Sequence, residues 1–353
     1  MRKFMLLLSL AAIAAVGCQR ASESPSGSTT TTGTSPSGTK TTIVFIPKQS
    51  GNTYFNEVEK GLKEASDTAG CDFTTNAPPT GDPTSQLPII KDQIQRHVDA
   101  IVISPNSPDA LNVALDEAKK AGIVVLTVDA DLVGNETHRD VGVLSASAKS
   151  VGEGQIECLG KQIDYEGDFA ILSATRDSPN QNAWIAEMKT TLANPKYAKM
   201  KLVDIVYGDD DAQKSATEFE ALLAKNPNLR GVIAPTSVGL AAAAQSLETA
   251  GVYPGGPKAK GKGLVLTGLS TPDQLHKFVT NGVIGSFQLW KPADMGSAAC
   301  GIVMAIKSGK LKPAEGAEYD DPKLGKLKFE KNNVVYAAPL ITFDKSNIDQ
   351  FKF

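Results

Sequence analysis

Short β-branched and aliphatic runs recur along the chain from Thr41 onward. They stand at Ile43–Ile46, Ile101–Ile103, Ile123–Val128, Ala170–Leu172, Leu202–Val206, Gly231–Ala234, Leu264–Thr267 and Val283–Phe287. Each run is nearly continuous rather than alternating, the pattern of strands buried on both faces of a parallel sheet. Between them lie stretches with a helical period, among them Asn56–Ala69, Pro108–Ala121 and Ala212–Lys225. In the first of these, Val58, Leu62 and Ala65 share one face, while Glu57, Lys60 and Lys63 fall on the other. Gly follows Ala at Ala69-Gly70, Ala121-Gly122 and Ala250-Gly251, where a helix can end in a left-handed cap. Strands alternating with helices predict an α/β fold built on doubly wound parallel sheets. About 105 residues separate Thr41 from Ser145 and about as many fill the next such unit, so two similar domains are expected.

The first forty residues follow a different pattern. Arg2 and Lys3 precede an apolar run from Phe4 to Val16, too short for a permanent membrane span. Residues 1–17 are therefore expected to be a signal peptide. The small residues Ala15-Val16-Gly17 before Cys18 are similar to a bacterial lipobox, which implies lipidation of Cys18; an ordinary cleaved signal is the alternative. Apart from Ala21, Glu23 and Lys40, residues 21–40 are all Ser, Thr, Gly or Pro. Such a stretch has little apolar surface to bury, so 18–40 is expected to be a lipidated cysteine and a disordered linker. A body held at a membrane face outside the cytoplasm follows, in the periplasm or at the cell surface.

Charge and composition narrow the chemistry. The 353 residues carry a formal charge of −3, and losing Arg2 and Lys3 with the signal would make it −5, which argues against nucleic acid as a partner. His97, His138 and His276 are far apart, and Cys18, Cys71, Cys158 and Cys300 have no zinc or redox spacing. Neither a metal nor a cofactor is expected. With Cys18 lipidated, three thiols remain in an oxidising compartment, so at least one stays unpaired. Gly152-Glu153-Gly154 lacks a dinucleotide fingerprint and falls in a helix. Asp209-Asp210-Asp211 reads as an acidic helix start rather than a metal site. No nucleophile–base pair with useful spacing appears, so an enzyme is not expected.

Ligands of open parallel sheets bind beyond the carboxyl ends of the strands, and the residues there are polar and aromatic. Lys48, Asn52, Tyr54 and Phe55 follow the first run; the aromatic pair could form a wall for a sugar ring or a staple at the helix start. Asp129 follows the third run and can accept two hydroxyls, whereas Asp131 reads as turn chemistry. Asn180, Gln181, Asn182 and Trp184 open the helix after Ala170–Leu172, and amides offer donor and acceptor together, as neutral polyols require. Pro235 and Ser237 follow Gly231–Ala234 with Thr236 between them, and capping of the next helix is the alternative role for the Thr236 and Ser237 hydroxyls. Ser270 and Trp290 stand after the last two runs.

The phrases IPKQSGNTYFNEVEKGLKEA, ISPNSPDALNVALDEAKKAGI, VDAD, NQNAWIAEMK, VYGDDDAQKS, IAPTSVGLAAAAQSLE and LTGLSTPDQL resemble substrate-binding proteins of sugar ABC transporters in the ribose-binding superfamily. Within it, the chain is most similar to the rhamnose-binding and autoinducer-2-binding branch, from about Thr41 to Phe353. The resemblance implies the periplasmic binding protein type I fold, two doubly wound lobes joined by three hinge segments. One lobe would hold 41–145 and about 291–325, the other 146–290 and about 326–353. It also implies that Lys48, Asp129 and the Tyr54–Phe55 pair contact ligand. The autoinducer-2 branch has an Asp-Gln pair where Asn180 and Gln181 stand, and Ala where Ser237 stands; both departures agree better with the rhamnose-binding type. The ribose pattern would place Asp at Ser270 and Gln near Trp290, which speaks against ribose. A monomeric solute-binding protein is expected, capturing rhamnose or another deoxy-sugar and delivering it to an ABC permease. A receptor for autoinducer-2 or for a sugar signal is the alternative.

Overall fold

The aliphatic runs become strands because helices cover both faces of each sheet. The computed structural model describes residues 40–353; the expected signal peptide, Cys18 and the linker up to Thr39 lie outside the described residues. Strand β1 (Thr42–Ile46) leads into α1 (Thr53–Ala69), β2 (Asp72–Thr75), α2 (Leu87–Gln95), β3 (Ala100–Ile103), α3 (Asn112–Lys120), β4 (Val124–Val128) and β5 (Val141–Leu144). A second series follows: α4 (Ala148–Ile163), β6 (Glu166–Ser173), α5 (Pro179–Thr191), β7 (Lys199–Tyr207), α6 (Ala212–Lys225), β8 (Gly231–Ala234), α7 (Ser237–Ala250), β9 (Val265–Gly268), α8 (Pro272–Thr280) and β10 (Ser286–Leu289). The chain ends with α9 (Pro292–Lys307), the hairpin β11 (Glu318–Asp321) and β12 (Gly325–Lys328), then β13 (Val334–Tyr336) and β14 (Ile341–Asp344).

The first sheet has six strands in the order β13-β5-β4-β3-β1-β2, every pair parallel. The second has parallel strands in the order β7-β6-β8-β9. A bridge from Leu269 to Gln288 adds β10, with β14 antiparallel to it at the edge. Strand order reverses between β1 and β3 in one lobe and between β6 and β8 in the other, so each lobe offers a crevice at its carboxyl edge.

The chain crosses between lobes three times. It passes after β5, then at Trp290-Lys291 between β10 and α9, and finally after β13. The third pass runs beside the first, with Ala337 N–H donating to Leu144 C=O at 2.8 Å and Ala338 N–H to Ser145 C=O at 3.1 Å.

Two expectations from sequence need correction. Residues from about 326 were expected in the second lobe, but β13 joins the first sheet beside β5. Buried Arg139 donates to the Asn332 carbonyl, and Asn333 Nδ2 donates to the Asp140 carbonyl at 3.2 Å, so polar clamps hold this segment on the first lobe until the crossing after Tyr336. The run Val283–Phe287 also shifts: its strand starts at Ser286 and ends at Leu289, because Ile284 N–H turns back to the Phe278 carbonyl. Trp290 therefore follows the strand directly.

Gly152 and Gly154 lie inside α4 as expected, and their use is packing. An added Cβ would come within 2.5 Å of Glu187 at the first and of Leu340 at the second. The same device brings α1 and α9 together. A Cβ on Gly61 would lie 2.0 Å from the Ala293 carbonyl oxygen, and one on Gly296 would lie 2.2 Å from that of Val58. Gly61→Ala is expected to cost about 1–3 kcal/mol through overpacking, read as a lower urea midpoint. An unchanged midpoint would mean that the helices do not meet there.

Candidate functional site

Where the carboxyl edges of the two sheets face one another, they line a small cavity. Its floor begins with Asp129. This residue has φ +67° and sits in a tight turn in which Ala130 N–H returns to the Val128 carbonyl at 2.7 Å. Left-handed backbone is uncommon outside Gly, though Asp tolerates it; here it turns the carboxylate from the end of β4 into the cleft. Asp129 Oδ1 accepts the Tyr54 hydroxyl at 2.7 Å, and Oδ2 accepts Ser104 Oγ at 3.0 Å and Asn180 Nδ2 at 3.2 Å. The Lys48 ammonium lies 3.8 Å from Oδ2 and donates to Asn180 Oδ1 at 2.8 Å and to Ser178 Oγ at 3.1 Å. Lys48 and Asp129 belong to one lobe and Asn180 to the other, so these bonds close the cleft.

Aromatic rings form the walls. Trp290 Nε1 donates to the Tyr54 hydroxyl at 2.9 Å, which answers the indole's need for a partner when buried. Tyr54 meets Phe55 edge-on at 5.2 Å between ring centres, and Trp290 meets Trp184 at 5.7 Å. Burial, reinforced by Asp129, holds the Tyr54 hydroxyl well above the usual phenol pKa, so it stays a donor. Burial pulls the Lys48 pKa down while Asp129 and Asp210 pull it back.

Eleven of the twelve residues expected from sequence line the cavity: Lys48, Asn52, Tyr54, Phe55, Asp129, Asn180, Gln181, Trp184, Pro235, Ser237 and Trp290. Some hold other duties as well. Asn52 caps α1, its side chain accepting Tyr54 N–H at 3.1 Å. Gln181 commits Oε1 to Ser173 Oγ at 2.7 Å and Ala174 N–H at 2.8 Å, so its amide N–H groups are what it can offer a ligand. The twelfth, Ser270, is fully buried outside the lining; its hydroxyl donates to Gln274 Oε1 at 2.8 Å. Asp131 belongs to the scaffold, paired with Arg139 and bonded to Thr127 Oγ1 at 2.7 Å.

Sequence reasoning missed three lining residues, Asp210, Leu269 and Leu289, and noted the Thr236 hydroxyl without counting it among the site residues. Asp211 is the helix cap that the acidic triplet promised, accepting Lys214 N–H at 2.7 Å. Asp210, one residue earlier, faces the cavity instead and accepts the Thr236 hydroxyl. The signal was available, since the triplet follows the run Leu202–Val206 and the strand-end rule applies there too. Burial pushes the Asp210 carboxyl up, with Asp129 and Asp209 adding to it and Thr236 and Lys48 opposing it. A carboxyl raised by folding destabilises the native state once pH climbs above the ordinary Asp value of ~3.9. Asp210→Asn should therefore melt higher than the parent at pH 7, and the gain should vanish as pH falls to that value. A loss of stability at pH 7 would show that the Thr236 bond outweighs the burial cost.

A family model described as "Periplasmic binding protein domain" matches residues 43–311. The D-allose-binding periplasmic protein of Escherichia coli K12 is 25% identical over 279 residues, 77% of this chain and 86% of that one. The crystal structure of a sugar ABC transporter from Actinomyces odontolyticus matches with TM-score 0.70 and 35% identity, covering 89% of this chain and 98% of the other. An ABC transporter solute binding protein from Clostridium phytofermentas, with bound L-rhamnose, matches with TM-score 0.83 and 30% identity over the same shares.

Proposed function

Since this chain belongs to the periplasmic binding protein family, we propose that it captures a neutral monosaccharide between its lobes and delivers it to an ABC permease, with rhamnose or another deoxy-sugar the preferred ligand. The observation that carries this reading is the make-up of the cavity: a floor of Lys48, Asp129, Asn180 and Gln181 under walls of Tyr54, Phe55, Trp184 and Trp290. Directed polar groups suit sugar hydroxyls, while aromatic faces suit the C–H surfaces of a sugar ring. Two carboxylates, Asp129 and Asp210, against one ammonium disfavour sugar acids and sugar phosphates. Leu269 and Leu289 extend the wall with aliphatic surface, which suits the methyl group of a 6-deoxy-hexose better than a hydroxymethyl. The relative with bound L-rhamnose supports the same choice.

Capture favours the closed lobes because only closure brings both halves of the floor onto the ligand. The family implies a location outside the cytoplasm. The lipobox-like residues before Cys18 support a membrane anchor there, with the body acting as a monomer.

A thermal-shift screen tests the reading against L-rhamnose, L-fucose, ribose, xylose, galactose and autoinducer-2. Ligand at ~100 times its dissociation constant adds ~2.7 kcal/mol of stability, so a clear upward shift with rhamnose is expected. A shift confined to autoinducer-2 would move the protein to signalling, and silence with every sugar would sink the transport reading. Asp129→Ala should weaken binding of the active sugar at least ~100-fold, because a buried charged acceptor is lost, while the circular dichroism spectrum stays native. Near-parental affinity would remove Asp129 from the site.

A further inference from the structure

Three cysteines lie among the described residues, and the structure separates them. Cys158 sits on α4 in the second lobe, its sulfur 3.3 Å from Thr267 Oγ1 and 3.5 Å from Ser286 Oγ. Cys71 and Cys300 meet in the first lobe. Cys71 follows the Gly70 cap of α1, and its N–H donates to the Ser66 carbonyl at 2.9 Å. The Ser66 hydroxyl is 3.4 Å from Cys300 Sγ on α9. Cys71 Sγ in turn touches Met304 Sδ at 3.1 Å, and Met304 lies one turn beyond Cys300 on the same helix. Ser66 and Met304 thus bring the two cysteines together as neighbours across the α1–α9 seam.

The glycine contacts already described make this meeting possible. Gly61 lies against Ala293 and Gly296 against Val58, so α1 and α9 run close side by side and carry their sulfur-bearing ends together. At the opposite end the same two helices begin beside Tyr54 and Trp290 of the cavity. Cys300 and Met304 also line an outer groove between α1, α9 and the β11–β12 hairpin, while Cys71 keeps the greater exposure of the two thiols.

We propose that Cys71 and Cys300 are a redox pair that closes to a disulfide outside the cytoplasm, stapling α1 to α9, and that Cys158 is the thiol left over. The step is exchange with a second disulfide, such as oxidised glutathione. The less buried Cys71 loses its proton and attacks one sulfur of that disulfide, and the other sulfur leaves as a thiolate that takes up a proton. Cys300 then loses its proton and attacks Cys71 Sγ, releasing the second thiol. Two protein thiols are oxidised to one S–S bond and the external disulfide is reduced to two thiols. The product carries no charge, so it suits a site where burial pushes the Cys300 thiol up to about 11 and the Cys71 thiol in the same direction. The scarcity of thiolate makes exchange slow in the folded chain. A link between residues so distant in sequence stabilises mainly by restricting the unfolded chain.

The test uses the full chain as exported, one sample untreated and one reduced and then held in a glutathione redox buffer. Both are alkylated under denaturing conditions, digested without reduction and mapped by mass spectrometry. A cross-linked peptide pair joining Cys71 to Cys300, two hydrogens lighter than the sum, with Cys158 alkylated, is the expected result. The oxidised chain should also melt several degrees above the reduced one, a difference absent from Cys71→Ser and from Cys300→Ser. Alkyl label on both Cys71 and Cys300 in both samples, or a link through Cys158, would overturn the pairing. A link with no change in melting would overturn the staple.

Discussion

Burying an ammonium and a carboxylate in one closed cleft costs several kcal/mol per ion unless each is paired and hydrogen-bonded, and the organisation of this molecule follows from how Lys48 and Asp129 meet that requirement. They lie 3.8 Å apart, beyond the ends of β1 and β4, the two strands that flank β3 in the first sheet. Asp129 takes bonds from Tyr54, Ser104 and Asn180, while Lys48 gives bonds to Ser178 and Asn180. Asn180 serves both ions at once, its carbonyl toward Lys48 and its amide toward Asp129. A neutral amide can do this because it is donor and acceptor together; a carboxylate at that position would face Asp129 with like charge. The second lobe therefore completes the solvation of ions that the first lobe supplies.

The aromatic wall depends on a separate constraint, the closeness of α1 and α9. Tyr54 stands at the start of one helix and Trp290 just before the other, and their hydrogen bond forms because the glycines let the two backbones nearly touch. Trp290 is also one of the three points where the chain crosses between lobes.

Much of this was legible from residue order. The parallel strands were visible because both faces are buried, which leaves continuous apolar runs. The rule that ligands sit past strand ends then selected Lys48, Asp129, Asn180, Gln181, Ser237 and Trp290 without any structure. What sequence hid was of two kinds. Ser270 obeys the rule by position, but its hydroxyl turns to Gln274, a rotamer choice that the pattern does not encode. Asp210 was masked by its neighbour, since Asp211 alone accounts for a helix cap and a run of identical residues does not say which one faces inward. The lobe assignment of β13 depended on long-range clamps from Arg139 and Asn333, which bridge nearly two hundred residues and leave no local trace.

The central claim is that a sugar occupies the space between the Lys48–Asp129–Asn180 floor and the Tyr54–Trp184–Trp290 walls. A crystal structure of the chain with the sugar that stabilises it most tests this directly. Ligand hydroxyls within hydrogen-bond distance of Asp129 Oδ2 and of the Asn180 amide, with a ring face against an indole, are the expected result. Sugar bound elsewhere, or bound in the cleft with Asp129 still held only by protein partners, would contradict the account.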